Sequence, residues 1–191
     1  MGVREQLYPE AVDFPKRTTG AKRVFDHTIR TARNAAKKLT QELNTSQRAH
    51  VRLVHCDYTS ESGPARVRQL LKGKADDILS RRVAFFNVWK PLSKVEEMPL
   101  AMCDVTSSPP SDFFKLYLRE RTGGNYVMKY SPQHKWWYFP GMTPEQAIVL
   151  KTYDSDEGRA RFVGHSAFQN PESAPDAPMR QSIEIRTIAF F

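Results

Sequence analysis

The chain contains the stretch Val51-Arg52-Leu53-Val54-His55-Cys56-Asp57, in which a predicted β-strand carries two potential metal ligands. Side chains at positions i and i+2 of a strand point to the same face of the sheet. A strand over residues 48 to 58 therefore places His55 and Asp57 on one face and Cys56 on the other. We infer that this strand can present an imidazole and a carboxylate to one metal ion from a rigid support.

Two later pieces extend this pattern: a second histidine, His165, and the sequence Arg180-Gln181-Ser182 fifteen residues beyond it. Two histidines and one carboxylate form the facial triad that binds non-haem Fe(II) and leaves coordination positions open. Those positions suit the keto and carboxylate oxygens of a 2-oxo acid cosubstrate, together with dioxygen. An arginine beside the metal can bind the far carboxylate of that acid bidentately. The predicted metal ligands are His55, Asp57 and His165, and the predicted cosubstrate ligands are Arg180 and Ser182.

Each of these residues also has a plainer interpretation. A His-x-Asp sequence alone is a weak signal because short motifs recur by chance. A solvated His–Asp pair, a core histidine and a surface arginine would give the same letters. Arg186 lies twenty-one residues after His165 and is a second candidate for binding the cosubstrate, although it is also placed to pair with Glu184. The order of the motifs and their placement on predicted strands favour the metal site.

Several other side chains have both a functional and a structural interpretation. Asn87 and Trp89 share one face of a predicted strand, where they either line the substrate pocket or pack in the core. For the remaining candidates the structural interpretation is favoured: core or surface histidines at His27 and His134, core aromatics at Trp136, Trp137 and Tyr138, and a surface lysine at Lys151.

The composition favours one β-rich globular domain over residues 1 to 191. Thirteen prolines, eleven phenylalanines and seven tyrosines against nine glycines are typical of short strands joined by many turns. No apolar run reaches the roughly 20 residues of a membrane span, and no signal-peptide core follows the first residues. Two cysteines predict neither a disulfide framework nor a zinc cluster, so we expect a reducing, cytoplasmic compartment.

The net charge of +8 raises the question of nucleic-acid binding. The excess lies mainly in the first half of the chain, where Arg30, Arg33 and Lys37 recur at the helical spacing of an ordinary solvated face. The chain has no helix-turn-helix, zinc-finger or RNP pattern. We therefore expect a small-molecule substrate and dioxygen as partners, and neither nucleic acid nor a membrane.

The predicted fold is mainly β with flanking helices, after an irregular segment over residues 1 to 22. Helices are predicted over residues 31 to 43, 65 to 80 and 111 to 119. The predicted strands cover residues 24 to 29, 48 to 58, 83 to 89, 100 to 105, 126 to 130, 136 to 139, 147 to 153, 161 to 168 and 182 to 190. Many short strands with helices packed outside predict a double-stranded β-helix, the jelly-roll and cupin-like arrangement.

A family resemblance extends in order along nearly the whole chain. It is carried by Thr19-Gly20-Ala21, Phe25-Asp26-His27-Thr28-Ile29-Arg30, Val54-His55-Cys56-Asp57-Tyr58-Thr59, Asn87-Val88-Trp89-Lys90-Pro91-Leu92, Pro99-Leu100-Ala101-Met102-Cys103-Asp104, Trp136-Trp137-Tyr138-Phe139-Pro140, Lys151-Thr152-Tyr153-Asp154-Ser155, His165-Ser166-Ala167-Phe168 and Arg180-Gln181-Ser182-Ile183-Glu184-Ile185-Arg186. These segments resemble the fungal hydroxylase/desaturase family, which includes gibberellin-desaturase-like and aspergillic-acid-hydroxylase-like proteins and is related to a cephamycin 7-alpha-hydroxylase subunit. The resemblance implies hydroxylation or desaturation of a fungal secondary metabolite with Fe(II) and 2-oxoglutarate.

The chain departs from the family pattern at two places. Cys56 stands where the family usually has Asn, on the strand face turned away from the metal ligands. Family members also carry a long N-terminal extension with extra strands, whereas this chain begins close to the Tyr8-Pro9-Glu10 segment. We expect the sheet edge that such an extension covers to be covered here by residues 1 to 22, or by a second chain in a homodimer.

Two other classes of function remain open at the level of sequence. One is a catalytically silent barrel that binds a metabolite or serves as a partner subunit. The other is a basic nucleic-acid-binding domain. Succinate formation that depends on iron separates an oxygenase from the first, and a steep salt dependence of nucleic-acid affinity would indicate the second.

Overall fold

The computed structural model describes residues 3–33, 47–48, 51–117 and 124–191, with side chains for 9–24, 51–117 and 124–191. Its helices are α1 (Val3–Thr19), α2 (Ser62–Leu70) and α3 (Ala75–Leu79). Its strands are β1 (Arg23–Arg33), β2 (Gln47–Arg48), β3 (His55–Cys56), β4 (Val83–Pro91), β5 (Leu100–Cys103), β6 (Phe113–Tyr117), β7 (Gly124–Met128), β8 (Trp136–Tyr138), β9 (Ile148–Asp154), β10 (His165–Ala167) and β11 (Gln181–Phe190).

The strands form two sheets. The five-stranded sheet has the order β2-β1-β11-β4-β9, and the six-stranded sheet has the order β6-β7-β3-β10-β5-β8. The pairing of β2 with β1 is parallel and the remaining pairings in the described residues are antiparallel. The chain crosses repeatedly between the sheets, since β3, β5 to β8 and β10 belong to the six-stranded sheet and β4, β9 and β11 to the five-stranded sheet. The predicted mainly β fold with a double-stranded β-helix core is confirmed.

The centre of the five-stranded sheet is the antiparallel pair of β4 and β11. Phe85 lies opposite Ile188 and Asn87 lies opposite Arg186, so these four side chains share the face turned toward the six-stranded sheet. Phe85 and Ile188 are fully buried in one apolar cluster with Tyr58, which follows β3. Full burial of side chains of this size stabilises the fold by about 1.5–3 kcal/mol each. Polar and charged residues of the same face therefore occupy a space between two packed sheets.

The N-terminal segment is helical, so the prediction of an irregular segment over residues 1 to 22 is wrong over Val3–Thr19. Pro9 and Pro15 lie inside this helix, where each removes a backbone donor at a cost of about 3 kcal/mol in a helix interior. Burial on the outer face of the five-stranded sheet offsets that cost, because Ala11 packs in a cluster with residues of β4 and β11. The helix packs on a face of the sheet, so this finding does not support the expectation that residues 1 to 22 cover a strand edge, and the alternative of a second chain stays a prediction.

Three further predicted elements differ from the structure. Of the strand predicted over 48 to 58, Arg48 lies in β2, His55–Cys56 forms β3 with Asp57 directly after it, and residues 49 and 50 lie outside the described residues. The helix predicted over 65 to 80 is divided into α2 and α3 at Gly73, whose φ of 71° breaks the helix. The helix predicted over 111 to 119 is wrong over residues 111 to 117, since a 3₁₀ turn at Pro110–Asp112 leads into strand β6, and residues 118 and 119 lie outside the described residues.

The helix predicted over residues 31 to 43 is also wrong where it can be compared. Residues 31 to 33 continue strand β1, which pairs with β11 as far as Arg33. The remainder of that prediction, residues 34 to 43, lies outside the described residues.

Candidate metal centre

The three predicted metal ligands converge between the two sheets. His55 on β3 lies directly opposite His165 on the antiparallel strand β10, so both imidazoles project from the same sheet face. Their ring centroids are 4.5 Å apart. Together with the carboxylate of Asp57, their ligand atoms all lie within 4.8 Å of one another. The two residues that flank Cys56 thus lie close to a histidine far along the chain, and their binding of one metal ion stays a prediction.

Backbone carbonyls orient both imidazoles. Nδ1 of His55 lies 2.9 Å from the carbonyl oxygen of Leu53, and Nδ1 of His165 lies 3.0 Å from that of Val163. A carbonyl oxygen only accepts hydrogen bonds, so Nδ1–H is the donor and Nε2 keeps its lone pair. Burial, followed by the neighbouring His165, lowers the pKa of His55. The neutral imidazole, which is the form that binds a metal, is therefore favoured at neutral pH.

The carboxylate of Asp57 is held by two side chains from the opposite sheet. Its Oδ1 accepts a hydrogen bond from an Nη atom of Arg186 at 2.6 Å, and its Oδ2 accepts one from Nδ2 of Asn87 at 2.6 Å. Burial by itself raises the pKa of Asp57. The charge of Arg186, the two imidazoles and the Asn87 hydrogen bond outweigh this and hold the pKa well below its usual range. Asp57 is consequently ionised at neutral pH.

Arg180 and Ser182 lie at the other end of the same sheet face. Arg180 precedes β11, is 4% exposed, and donates a hydrogen bond to the carbonyl oxygen of Met98. Its guanidinium carbon lies 5.3 Å from the ring centroid of Trp89. Burial lowers the pKa of Arg180 to about 10, so the side chain remains a cation at neutral pH. Ser182 is buried, and its Oγ has no hydrogen-bond partner within the part of the chain that the structure describes.

These residues fit the metal and cosubstrate that the sequence predicted. Two Nε2 lone pairs and one ionised carboxylate are the donors of the facial triad. The buried cation of Arg180 lies near the hydroxyl of Ser182, which no described residue hydrogen-bonds, and this combination suits a carboxylate ligand. Both sets face the space between the sheets.

The other candidates occupy mixed positions. Asn87 contacts Asp57, and Trp89 packs in an apolar cluster with Leu100 of β5, Ile148 of β9 and the loop residues Val95 and Met142. Nε2 of His134 lies 2.7 Å from Asp112, and Lys151 lies 3.1 Å from Asp154, so both have structural partners. Tyr138 packs against Phe168, whereas Trp136 and Trp137 are exposed. The side chain of His27 lies outside the described residues.

The contact between Arg186 and Asp57 was missed. The predicted pairing of Arg186 with Glu184 is present, with Nε of the guanidinium 2.9 Å from Oε1. The same guanidinium also reaches Asp57, which is 129 positions away along the chain. No spacing rule connects residues so far apart, because Arg186 belongs to the five-stranded sheet and Asp57 follows a strand of the six-stranded sheet.

A cleft of about 500 Å³ opens beside the centre, between α1 and strands β5, β8 and β9. Its lining includes the apolar side chains Phe14, Met102, Trp137, Phe139 and Ile148. Met102 lies directly opposite His165 in the six-stranded sheet, which places one wall of the cleft next to the histidine strand.

None of the helices in the described ranges has the length and apolar character of a membrane span.

Comparison with known proteins identifies the family. Residues 1–190 match the family model described as YDMC: Oxidoreductase/YMDC permease-like domain. The chain is 32% identical to hydroxylase/desaturase efuI of Hormonema carpetanum, over 99% of this chain and 71% of that protein. It is 30% identical to the Fe(II)/2-oxoglutarate-dependent dioxygenase nvfI of Aspergillus novofumigatus, over 98% of this chain and 67% of that protein.

A solved structure supports the same assignment. The iron and alpha-ketoglutarate-dependent endoperoxidase NvfI superposes with a TM-score of 0.86 at 28% sequence identity, covering 98% of this chain and 68% of that chain. The alternatives of a silent barrel or a nucleic-acid-binding domain gain no support from these relatives. The chain belongs to the fungal hydroxylase/desaturase family, which its motifs resemble and whose relatives include an Fe(II)/2-oxoglutarate-dependent dioxygenase.

Proposed function

We propose that this protein is a non-haem Fe(II)/2-oxoglutarate-dependent dioxygenase that hydroxylates or desaturates a small secondary metabolite. The observation that carries the proposal is the convergence of the ligand atoms of His55, Asp57 and His165 within 4.8 Å of one another. When bound, Fe(II) with 2-oxoglutarate and dioxygen supplies the oxidising power, and the 2-oxo acid leaves as succinate and carbon dioxide. The residues of this chain bind and orient the reactants in a site shielded from water.

Arg180 and Ser182 hold the far carboxylate of 2-oxoglutarate in this proposal. The guanidinium is buried against Trp89 and stays charged at neutral pH. An anion that enters the space between the sheets can bind this cation, with the Ser182 hydroxyl donating a hydrogen bond to the same carboxylate. His55, Asp57 and His165 then hold the metal at the opposite end of that space.

The substrate binds beside the metal in this proposal. Oδ1 of Asn87 is buried and accepts no hydrogen bond from any residue that the structure describes, which makes it a candidate contact for a donor on the substrate. Trp89 provides an apolar wall. The adjoining cleft of about 500 Å³, with Met102 and Trp137 in its lining, favours a largely apolar molecule.

We also propose a reducing compartment and a homodimer. Cys56 and Cys103 are both free and buried, which suits a cell compartment that keeps thiols reduced. In a homodimer, the same outer strand of a second chain would pair with an edge strand of one of the two sheets. Sedimentation at micromolar concentration is expected to give twice the mass of one 22.0 kDa chain. A stable monomer would contradict the dimer.

Anaerobic titration tests the proposed activity. Fe(II) and 2-oxoglutarate added together are expected to give a visible metal-to-ligand charge-transfer band, and admission of dioxygen is expected to give succinate even without the substrate. Variants of each ligand, His55→Ala, Asp57→Ala and His165→Ala, should lose succinate formation. If wild-type protein binds neither Fe(II) nor 2-oxoglutarate, the proposal is wrong.

A further inference from the structure

Strand β11 carries a row of charged side chains on its inner face. Glu184 and Arg186 are two residues apart on β11 and lie opposite Trp89 and Asn87 of β4. The row runs from the cosubstrate end of the space between the sheets, near Ser182, toward Asp57 at the metal end. The distance between Ser182 and Arg186 along the strand is about 13 Å, at about 3.3 Å per residue.

Each oxygen of Asp57 already has one short hydrogen bond from this sheet. Arg186 donates to Oδ1 and Asn87 donates to Oδ2, both at 2.6 Å. The two donors are cross-strand neighbours in register, so their spacing is fixed by the β4–β11 ladder and not by a loop. A carboxylate has about four lone-pair positions. The two donors therefore fix the plane of the carboxylate and leave each oxygen with a lone pair for a metal.

Arg186 is itself held at both ends of its guanidinium. Its Nε donates to Oε1 of Glu184 at 2.9 Å while an Nη atom donates to Asp57. Burial by itself lowers the pKa of Arg186, but the two carboxylates raise it above its usual value. The side chain is a permanent cation between two carboxylates of this chain. A cosubstrate carboxylate would bring a third negative charge to a cation that two carboxylates already neutralise.

We propose that Arg186 is a positioning residue that, with Asn87, fixes the carboxylate of Asp57 for metal binding, while Arg180 alone anchors the cosubstrate. This inference rests on the proposed metal site. It goes beyond that site by assigning different roles to Arg186, which lies on β11, and to Arg180, which directly precedes β11. Residues outside the ligand set that orient metal ligands typically change metal affinity by about 10- to 100-fold when they are replaced.

Co(II) is a suitable probe because its visible absorption bands report the geometry of its ligands without any turnover. Arg186→Gln and Asn87→Ala are each expected to weaken Co(II) binding by about 10- to 100-fold and to change the visible spectrum of the bound ion. Arg186→Lys keeps the charge but cannot bridge two carboxylates with a planar fork. It is expected to recover part of the affinity.

Arg82→Gln is the matched control. Arg82 also binds a buried carboxylate, that of Asp154, through two hydrogen bonds of 3.1 and 2.8 Å, but it is not in contact with the candidate metal ligands. Its replacement is expected to lower thermal stability without changing Co(II) affinity or the spectrum. If metal affinity falls in the Arg186 and Asn87 variants but not in Arg82→Gln, the loss reflects the positioning of the Asp57 carboxylate and not general destabilisation.

The outcomes separate this inference from the proposed function. If wild-type protein does not bind Co(II), the metal site itself fails. If wild-type protein binds Co(II) and Arg186→Gln binds it equally well with the same spectrum, the positioning role is wrong. If Arg186→Gln keeps Co(II) but loses 2-oxoglutarate, Arg186 is the cosubstrate anchor. Should Arg186→Gln not fold, Asn87→Ala decides, since unchanged Co(II) binding in that variant overturns the proposal.

Discussion

Leu53 and Val163 contribute only backbone carbonyl oxygens to the candidate centre, yet these two atoms determine which nitrogen of each histidine is available. Each carbonyl accepts the Nδ1–H of a histidine two residues later, so Nε2 of His55 and His165 is left to bind a metal. The arrangement needs no particular side chain at residues 53 and 163. The orientation of the two imidazoles therefore depends on the backbone carbonyls of residues 53 and 163 as well as on the histidines themselves.

Replacement of Arg180 tests the proposed cosubstrate anchor. Arg180→Ala is expected to weaken 2-oxoglutarate binding by roughly 2–5 kcal/mol, because a charge-assisted pair in a closed site is lost. Metal affinity should stay close to that of the wild type, since Arg180 contacts Met98 and Trp89 and not the metal ligands. Calorimetric titration of the Co(II)-loaded protein with 2-oxoglutarate measures the effect.

Arg180→Lys provides the matched variant. An ammonium keeps the charge but not the planar fork, so only part of the 2-oxoglutarate affinity should return. Equal affinity in Arg180→Ala and wild-type protein would show that the cosubstrate carboxylate binds elsewhere.

Strand β3 shows how a short element can still place two ligands. Only His55–Cys56 forms a ladder, and the preceding residues 51 to 54 are irregular. Single backbone hydrogen bonds hold this irregular stretch, from Ala167 to the carbonyl of Val51 and from Met128 to that of Val54. His55 and Asp57 nevertheless lie on one side, since their ligand atoms and that of His165 lie within 4.8 Å of one another.

Gly63 in helix α2 tests the packing of that helix on the sheet. A Cβ at this position would lie 2.6 Å from a ring carbon of Tyr153, which is buried in the core. Gly63→Ala is therefore expected to destabilise the protein by about 1–3 kcal/mol through overpacking, although alanine is the better helix former. Gln69→Ala on the exposed side of the same helix should change stability by no more than about 0.5 kcal/mol. Chemical denaturation of both variants measures the difference, and a stabilised Gly63→Ala variant would contradict the packing.

Asp154 joins the end of β9 to the residue before β4. Burial by itself raises its pKa, but hydrogen bonds from Arg82, the Asp156 backbone and Lys151 lower it below its usual value. A carboxyl whose pKa is depressed by folding stabilises the protein above its unfolded pKa of about 3.9, and this contribution is lost as the pH falls through the folded pKa.

This depressed pKa predicts how the replacement of Asp154 changes the stability of the protein at different pH values. Asp154→Asn is expected to lower stability at pH 7 by roughly 1.5–3 kcal/mol, the range for hydrogen bonds to charged groups. The difference from the wild type should shrink as the pH is lowered below about 4. Denaturant unfolding at pH 7 and pH 3 measures both values, and a difference that grows toward pH 3 would contradict the depressed pKa.

The sequence predicts elements well where local pattern and tertiary packing agree. Strand β4 is buried on both faces, and strand β11 alternates between apolar and polar residues over part of its length. The predicted ends of both strands lie within a few residues of the observed ends. Helix α1 was missed because its prolines argue against a helix, whereas its stability comes from packing on a sheet built much later in the chain. Strand β6 was predicted as a helix because its pairing with β7 is not visible in five residues of local sequence.

At the scale of the whole molecule, the centre exists because the two sheets of the double-stranded β-helix face each other. The six-stranded sheet supplies His55 and His165, and the five-stranded sheet supplies Asn87 and Arg186. The ligand motifs could be predicted from the sequence because they obey strand alternation and a known order. The contacts across the sheets could not, because they depend on how two surfaces meet and leave no periodic signal in either strand.

The central claim is that His55, Asp57 and His165 bind one metal ion. It is tested most directly by a crystal structure of the protein loaded anaerobically with Mn(II), a redox-stable substitute for Fe(II), with the ion located by its anomalous scattering. We expect one ion bound by Nε2 of both histidines and one carboxylate oxygen of Asp57, at about 2.0–2.3 Å by analogy with other imidazole and carboxylate ligands. An ion bound elsewhere, or histidines that point away from a common centre, would show that these three residues do not form the metal site.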